Sequence, residues 1–253
     1  MIDLHCHILP GVDDGPDDLE GSLAMAREHV ARGVRTVVAT PHVSWDYRTT
    51  ADEIAHAVDA LGDALREEGI PLTVLPGAEV ALTRAVDLTR EELAALTLAG
   101  GRWLLLEAPI AVDAPGLEGM IGMVQGRGVR VLLAHPERCA GFHGDPELLG
   151  RLVRGGCLGQ VTASALTGAF GRTVEAAARR YVELGWVHVA SSDSHDAVGR
   201  APGLDGPVVA AGYEALAGWL TDAVPTALLA GDPPPERPAF TARRAKRRFG
   251  FRR

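Results

Sequence analysis

Short apolar runs and longer amphipathic stretches alternate along most of the chain. Seven runs of aliphatic, often β-branched residues cover 2–7, 34–40, 72–80, 103–107, 129–134, 158–162 and 187–191. Each has the length of a strand. In the first, Ile2, Leu4, Cys6 and Ile8 alternate with Asp3, His5 and His7. That two-residue period puts His5 and His7 on one face and Cys6 on the other. Between runs the period becomes helical: Leu19, Leu23, Ala26 and Val30, then Ile54, Val58, Leu61 and Leu65, with Gly69 as a breaker. Helices are also expected over 116–125, 146–154, 166–184 and 208–220. The β-then-α order predicts an α/β fold with a parallel sheet covered by helices, either an open doubly wound sheet or a closed or nearly closed barrel. No linker divides the chain before Gly231, where Gly231-Asp232-Pro233-Pro234-Pro235 starts a proline-rich exit. One domain is therefore expected over 1–230, with an extension over 231–253.

Composition changes the picture in two places. The 47% hydrophobic content is ample for a core, and the net charge is −8. That charge is unevenly spread. Arg243, Arg244, Lys246, Arg247, Arg248, Arg252 and Arg253 crowd the last eleven residues, and setting these seven positive charges aside leaves −15 on the rest. So acidic a body argues against a nucleic-acid surface. The basic tail either binds an acidic protein segment or anionic lipid, which would bring the protein near a membrane, or is simply solvated. Cys6, Cys139 and Cys157 form no CxxC pair, which fits a reducing compartment. No signal-type stretch or 18-residue apolar run is visible, so a soluble cytoplasmic protein is expected.

Candidate chemistry gathers where the runs end. Thr40-Pro41-His42 closes the second, Pro76-Gly77-Ala78-Glu79 the third, Glu107 the fourth, Ala134-His135 the fifth and Asp193-Ser194-His195 the seventh. In parallel α/β folds the ligand face lies at the carboxyl ends of the strands. His5, His7, His42, Glu79, Glu107, His135, Asp193 and His195 would thus meet on one face, as metal ligands or, on the plainer reading, as caps and salt-bridge partners. Of Asp13 and Asp14, one caps the next helix or steadies the turn and the other is a ligand candidate; Asp14 is the choice. A mixed His and carboxylate set without thiolates suits Mn, Fe or Zn. It also exceeds one tetrahedral shell, so bridging carboxylates and two or three ions are expected. Arg138 and Arg200 could clamp a phosphate or form surface ion pairs. There is no Cys-x5-Arg loop, GxxxxGK[ST] loop or convincing dinucleotide fingerprint. Phosphoester hydrolysis uses this combination best. His29 and His56 read as helical residues facing solvent or making ordinary hydrogen bonds. His188 reads as structural, His143 as a weaker loop candidate, and Cys139 as at most a wall of the site.

At these residues the sequence resembles the polymerase-and-histidinol-phosphatase (PHP) superfamily. It is closer still to bacterial PHP-type protein-tyrosine phosphatases of capsule and exopolysaccharide systems. That match is carried by His5-Cys6-His7 with the following Ile8 to Gly15, by Leu72 to Glu79, by Ala134-His135-Pro136-Glu137-Arg138 and by Gln160 to Gly171. The resemblance implies a distorted seven-stranded β/α barrel with a three-ion, often Mn-dependent, site. His5, His7, Glu79 and Asp193 would hold one ion; Glu79, Glu107 and His135 a second; and Asp14, His42 and His195 a third. Arg138 and Arg200 would engage phosphate. A metal-bound hydroxide would attack phosphorus directly, and Asp14 or a bound water would protonate the leaving group. The substrate would be the tyrosine-rich tail of a kinase controlling polysaccharide export. A small-molecule phosphatase of the histidinol-phosphate type, a phosphodiesterase and a non-catalytic metal-binding regulator are the alternatives. The sequence departs from the family after His42, where Val43-Ser44-Trp45-Asp46-Tyr47 lacks the usual second histidine.

Overall fold

The structure is a computed structural model and describes residues 1–111 and 116–240. The basic tail expected to be either a binding segment or solvated lies outside the described residues. Nine strands run through them: β1 (Ile2–Cys6), β2 (Thr36–Ala39), β3 (His42–Val43), β4 (Thr73–Pro76), β5 (Glu79–Ala81), β6 (Trp103–Glu107), β7 (Arg130–Ala134), β8 (Leu158–Thr162) and β9 (Val189–Ser191). All strand pairs are parallel, in the orders β1-β2-β4 and β3-β5-β6-β7-β8-β9.

Nine strands arise from seven apolar runs because β3 forms just beyond the second run and the third run is broken. Thr40-Pro41 separates β3 from β2, since proline has no N–H for a ladder. The third is cut at Gly77-Ala78, where a Cβ on Gly77 would sit 2.7 Å from Val38 Cγ1. The two breaks lie side by side. Pairing resumes beyond them as Glu79 N donates to the Pro41 carbonyl at 3.1 Å and His42 pairs with Glu79. At the other edge Cys6 bridges Ser194. His7 N donates to the Ser194 carbonyl and Asp193 N to the His5 carbonyl, each at 2.9 Å. Backbone bonds thus tie the first strand to the segment after the last.

The helices follow their patterns with three departures. The helix Leu19–Ala31 buries Leu23 and Ala26 as its spacing requires, but it also buries His29 completely. His29 was expected to face solvent or make ordinary hydrogen bonds; it makes the bonds, with Cys6 Sγ at 3.3 Å and Ser194 Oγ at 3.4 Å, and does not face solvent. The helix Ala51–Glu67 buries Ile54, Val58, Leu61 and Leu65 and starts with a reciprocal Thr50–Glu53 capping box. The stretch 166–184 is not one helix. A 3₁₀ turn, Ala163–Thr167, is followed by Gly168 and Gly171 at φ 91° and 88°, and the α-helix is Arg172–Glu183. The stretch 208–220 likewise divides, at Gly212, into Asp205–Ala210 and Glu214–Gly218. No helix among the described residues is long and apolar enough to cross a membrane.

The core is thickest where strands are covered on both faces. Leu104, Leu105 and Leu106 of β6 and Val131, Leu132 and Leu133 of β7 are fully buried. At about 25 cal/mol per Å² of apolar surface removed from water, these central strands form a rigid base for the groups at their ends.

Candidate metal centre

Two imidazoles start the site, His5 on β1 and His7 directly after it. His5 and His7 share a face, as the strand period requires, and their Nε2 atoms are 3.2 Å apart. Each is aimed by a bond to its other nitrogen. Gln160 of β8 places Oε1 3.1 Å from His5 Nδ1, and Asp13 places Oδ2 2.6 Å from His7 Nδ1. Cys6 points the opposite way, with Sγ 3.3 Å from His29 Nε2.

The broken strands deliver the next groups. Glu79, 1% exposed at the head of β5, lies at the centre. Its Oε1 is 2.8 Å from His135 Nε2. Its Oε2 is 3.0 Å from His42 Nδ1, 3.3 Å from His5 Nε2 and 3.5 Å from His7 Nε2. Glu107, at the end of β6, reaches within 3.7 Å of His135 Nε2. Asp193 Oδ1 lies 3.4 Å from His5 Nε2 and 3.8 Å from His195 Nδ1. Asp14 Oδ1 lies 3.3 Å from His195 Nε2 and 3.4 Å from His42 Nε2. All nine expected ligands therefore face one another.

Two of them sit on strained backbone. His135 has φ 28° and Asp193 φ 51°, values that non-glycine residues seldom adopt. Each follows a strand that ends abruptly, so the turn swings the side chain toward the axis of the site. Arg138 and Arg200 are also at the site, and both hold the same atom, Asp193 Oδ2, at 2.5 and 2.7 Å.

The electrostatics are those of a cation site. Burial alone would raise the Glu79 pKa, but His5, His135 and His42 outweigh it and hold the carboxyl well below its usual range. Burial lowers the His7 pKa less than Asp13 and Glu79 raise it, and it rises to about 10. His195 moves down to about 3 through burial, His7 and Arg200. Burial and the Glu79 charge push Glu107 up. Glu79 Oε2 makes no properly directed hydrogen bond, nor do the buried His135 Nδ1 and His195 Nε2. Buried polar atoms are rarely left so, and only one proton could lie between the facing Nε2 atoms of His5 and His7. Divalent cations answer these conditions at Glu79 Oε2, at His195 Nε2 and between His5 and His7. Four overlapping groups have donor atoms close enough to share an ion: His7, Asp14, His42 and His195; His5, His7 and Asp193; His5, Glu79 and His135; and His42, Glu79 and Glu107.

Sequence reading missed the residues that aim the ligands. Asp13 is the clearest, with its side chain fully buried against His7 and bonds from Gly15 N at 3.0 Å and His42 N at 2.9 Å. It steadies the turn as one of the pair was expected to, but the helix cap is Asp18. Gln160 also accepts His135 N at 3.1 Å, and Glu137 accepts Thr162 N at 2.8 Å. The signal for Gln160 was a polar residue inside an apolar run; Asp13 and Glu137 lie outside the runs and carried none. His143 only bonds the Glu137 carbonyl, at 2.5 Å.

Comparison with known proteins gives consistent matches. A family model described as capsular polysaccharide synthesis, CpsB/CapC, matches residues 1–211. The tyrosine-protein phosphatase YwqE of Bacillus subtilis is 38% identical over 199 residues, 78% of each chain. The tyrosine-protein phosphatase CpsB of Streptococcus pneumoniae is 28% identical over 208 residues, 80% of this chain and 86% of its own. A solved structure described as one of YwqE and CpsB, metal-dependent tyrosine phosphatases, superposes with a TM-score of 0.78 at 31% identity. It covers 95% of this chain and 100% of its own.

Proposed function

The chain belongs to the capsular polysaccharide synthesis family CpsB/CapC, and from that premise we propose that it is a metal-dependent protein-tyrosine phosphatase. The observation that carries this reading is Glu79, fully buried among His5, His7, His42 and His135. Its Oε2 is buried without a directed hydrogen bond, a state that a bound cation would relieve. We assign the site three ions, Mn²⁺ first and Fe or Zn second. The assigned ligands are His5, His7, Asp14, His42, Glu79, Glu107, His135, Asp193 and His195.

Bound divalent ions supply an activated water and neutralise charge on the phosphoryl oxygens. The chain's own residues do the rest. Gln160 and Asp13 keep the Nε2 atoms of His5 and His7 turned inward. Arg138 and Arg200 share one carboxylate oxygen, which leaves further N–H groups of each planar fork for a phosphate. Asp14, 45% exposed, stands at the mouth facing His42 and His195, and water there can protonate the departing phenolate. The parallel sheets, tied from β1 to the segment after β9, support reading the fold as one distorted seven-stranded barrel of PHP type. The domain is assigned to residues 1–230. Three free, buried cysteines suit the cytoplasm, and the partner we assign is the phosphotyrosine tail of a kinase in polysaccharide export.

The test compares a phosphotyrosine peptide, a phosphoserine peptide, histidinol phosphate and a phosphodiester, each with Mn, Zn or chelator. Phosphotyrosine should be favoured and the chelated protein inert. Preference for histidinol phosphate would overturn the substrate and leave the metal centre standing.

A further inference from the structure

Beside the metal centre the chain builds a basic and aromatic surface that the chemistry above does not use. It begins where the sequence leaves its family's pattern, directly after His42. Ser44 Oγ accepts Asp46 N at 3.2 Å and Tyr47 N at 3.1 Å, while Ser44 N donates to the Tyr47 carbonyl at 2.7 Å. This tight turn lifts Trp45 to 49% exposure and stacks Tyr47 on the His42 ring, centroids 5.7 Å apart. Trp45 is exposed but held. The Arg84 guanidinium carbon is 5.1 Å from its ring centroid and that of Arg48 5.9 Å, and Arg48 Nε donates to the Trp45 carbonyl at 3.3 Å. Neither guanidinium takes part in an ion pair among the described residues.

Both arginines line an open cavity of about 330 Å³ with Val43, Leu88 and Leu96 on its apolar side. On the other side Arg48 lines a second opening with Gly11 and Val12, the turn that leads to Asp14. Arg48 thus lines both openings, and the Tyr47 ring stacked on His42 joins this turn to the edge of the metal centre. Asp52, Glu91 and Glu92 stand across the cavity, and Glu92 is committed to Thr89 N at 2.7 Å.

We propose that Trp45, Arg48 and Arg84 bind the substrate peptide next to its phosphotyrosine and select an acidic residue there. This rests on the phosphotyrosine reading above. A rigid, exposed tryptophan loses little conformational entropy when covered, and tryptophan and arginine dominate binding hot spots. The flanking residue lays its aliphatic stem on the Trp45 ring, and its carboxylate accepts from the two free guanidiniums. The charge balance gives the device a purpose. Without the basic tail the chain carries −15, a field that repels an acidic phosphopeptide unless positive groups meet it locally.

The experiment uses full-length, Mn-loaded protein. Three phosphotyrosine peptides that differ only in one flanking residue, Glu, Ala or Lys, are compared with p-nitrophenyl phosphate. Wild type is compared with Trp45→Ala, Arg48→Ala and the double variant Arg48→Ala/Arg84→Ala. Wild type should show its lowest KM for the Glu peptide. In the double variant the ratio of that KM to the KM for p-nitrophenyl phosphate should rise about tenfold, the change expected for losing a charged hot-spot contact. The Glu-over-Ala preference should vanish, and the effect should fall on KM rather than kcat. An active wild type that prefers the Lys peptide, or whose ratio none of the variants changes, overturns the proposal alone. A wild type inert toward all four phosphates overturns the phosphatase reading and this proposal with it.

Discussion

Asp13 and Asp14 are adjacent and chemically identical, yet they do different work. Asp13 is closed off from water and aims His7; Asp14 is half exposed and faces His42 and His195. Asp13→Asn should therefore loosen His7 and weaken metal binding by about 10–100-fold, as loss of a ligand's orienting partner commonly does. Isothermal titration with Mn checks this, and unaltered affinity would remove Asp13 from the site. Glu79→Gln should do more, lowering the metal content of purified protein and abolishing turnover, because several imidazoles then face one another without a counter-charge. Elemental analysis beside a turnover assay reads both effects. His29 supplies the pH prediction. Burial, with a smaller contribution from Arg32, lowers its pKa to about 3, against about 6.5 in an unfolded chain. The unfolded chain then binds one more proton between those values. Stability is therefore full above pH 6.5 and falls as the pH drops toward 3, with a slope approaching about 1.4 kcal/mol per unit. His29→Gln should flatten that slope in urea titrations from pH 7 to 4.5. An equal slope in both proteins would mean the ring is not held neutral.

The elements explain why these residues meet. β1 is the most economical: it and the residue after it turn His5 and His7 inward, while a register irregularity between Asp3 and Cys6 lets these two meet His29 as an outward pair. The outward pair joins a buried network in which Asp3 Oδ1 accepts His5 N at 3.2 Å and Ser192 N at 3.1 Å, and Ser192 Oγ donates to Ser194 Oγ at 2.8 Å. The two segments bearing His5, His7, Asp193 and His195 are thus bound at their backs as well as along their backbones. The breaks at Pro41 and Gly77 serve the same end, since each re-aims a strand just before it delivers His42 or Glu79. Gly15 shows how little room is left: a Cβ there would collide with the His7 carbonyl. Gly15→Ala should displace that carbonyl and lower metal affinity and kcat together while far-UV circular dichroism stays native. An unaffected enzyme would show that the turn can yield.

At the scale of the molecule, stability and metal content are one quantity. Buried carboxylates and imidazoles cluster at one end of the sheets, and a cation that binds only the folded chain adds RT ln(1 + [L]/Kd) to its stability, about 2.7 kcal/mol at a hundred times Kd. Chelator should lower the melting temperature by several degrees and Mn should restore it. An unchanged melting curve would mean the cluster is held by protons and ion pairs alone. The charge distribution acts at this scale too: in a strongly acidic body Arg138 and Arg200 stand inside the site, on Asp193, and Arg48 and Arg84 beside it, at Trp45.

The sequence by itself determined the parallel α/β layout, the positions of most strands and the eight histidine and carboxylate side chains at or near their ends. Alternation and strand-end placement are local properties, set by backbone geometry within a few residues. It could not separate Asp13 from Asp14, bury His29, or show that Gln160 aims His5, because those facts depend on contacts between residues far apart in the chain. It took 166–184 and 208–220 as continuous helices because apolar spacing persists through Gly168, Gly171 and Gly212. The backbone leaves the helix there only because each glycine adopts a positive φ that packing selects. Tertiary structure decided the rest: which strands broke, which polar groups were sealed from water, and which imidazoles came to share one carboxylate.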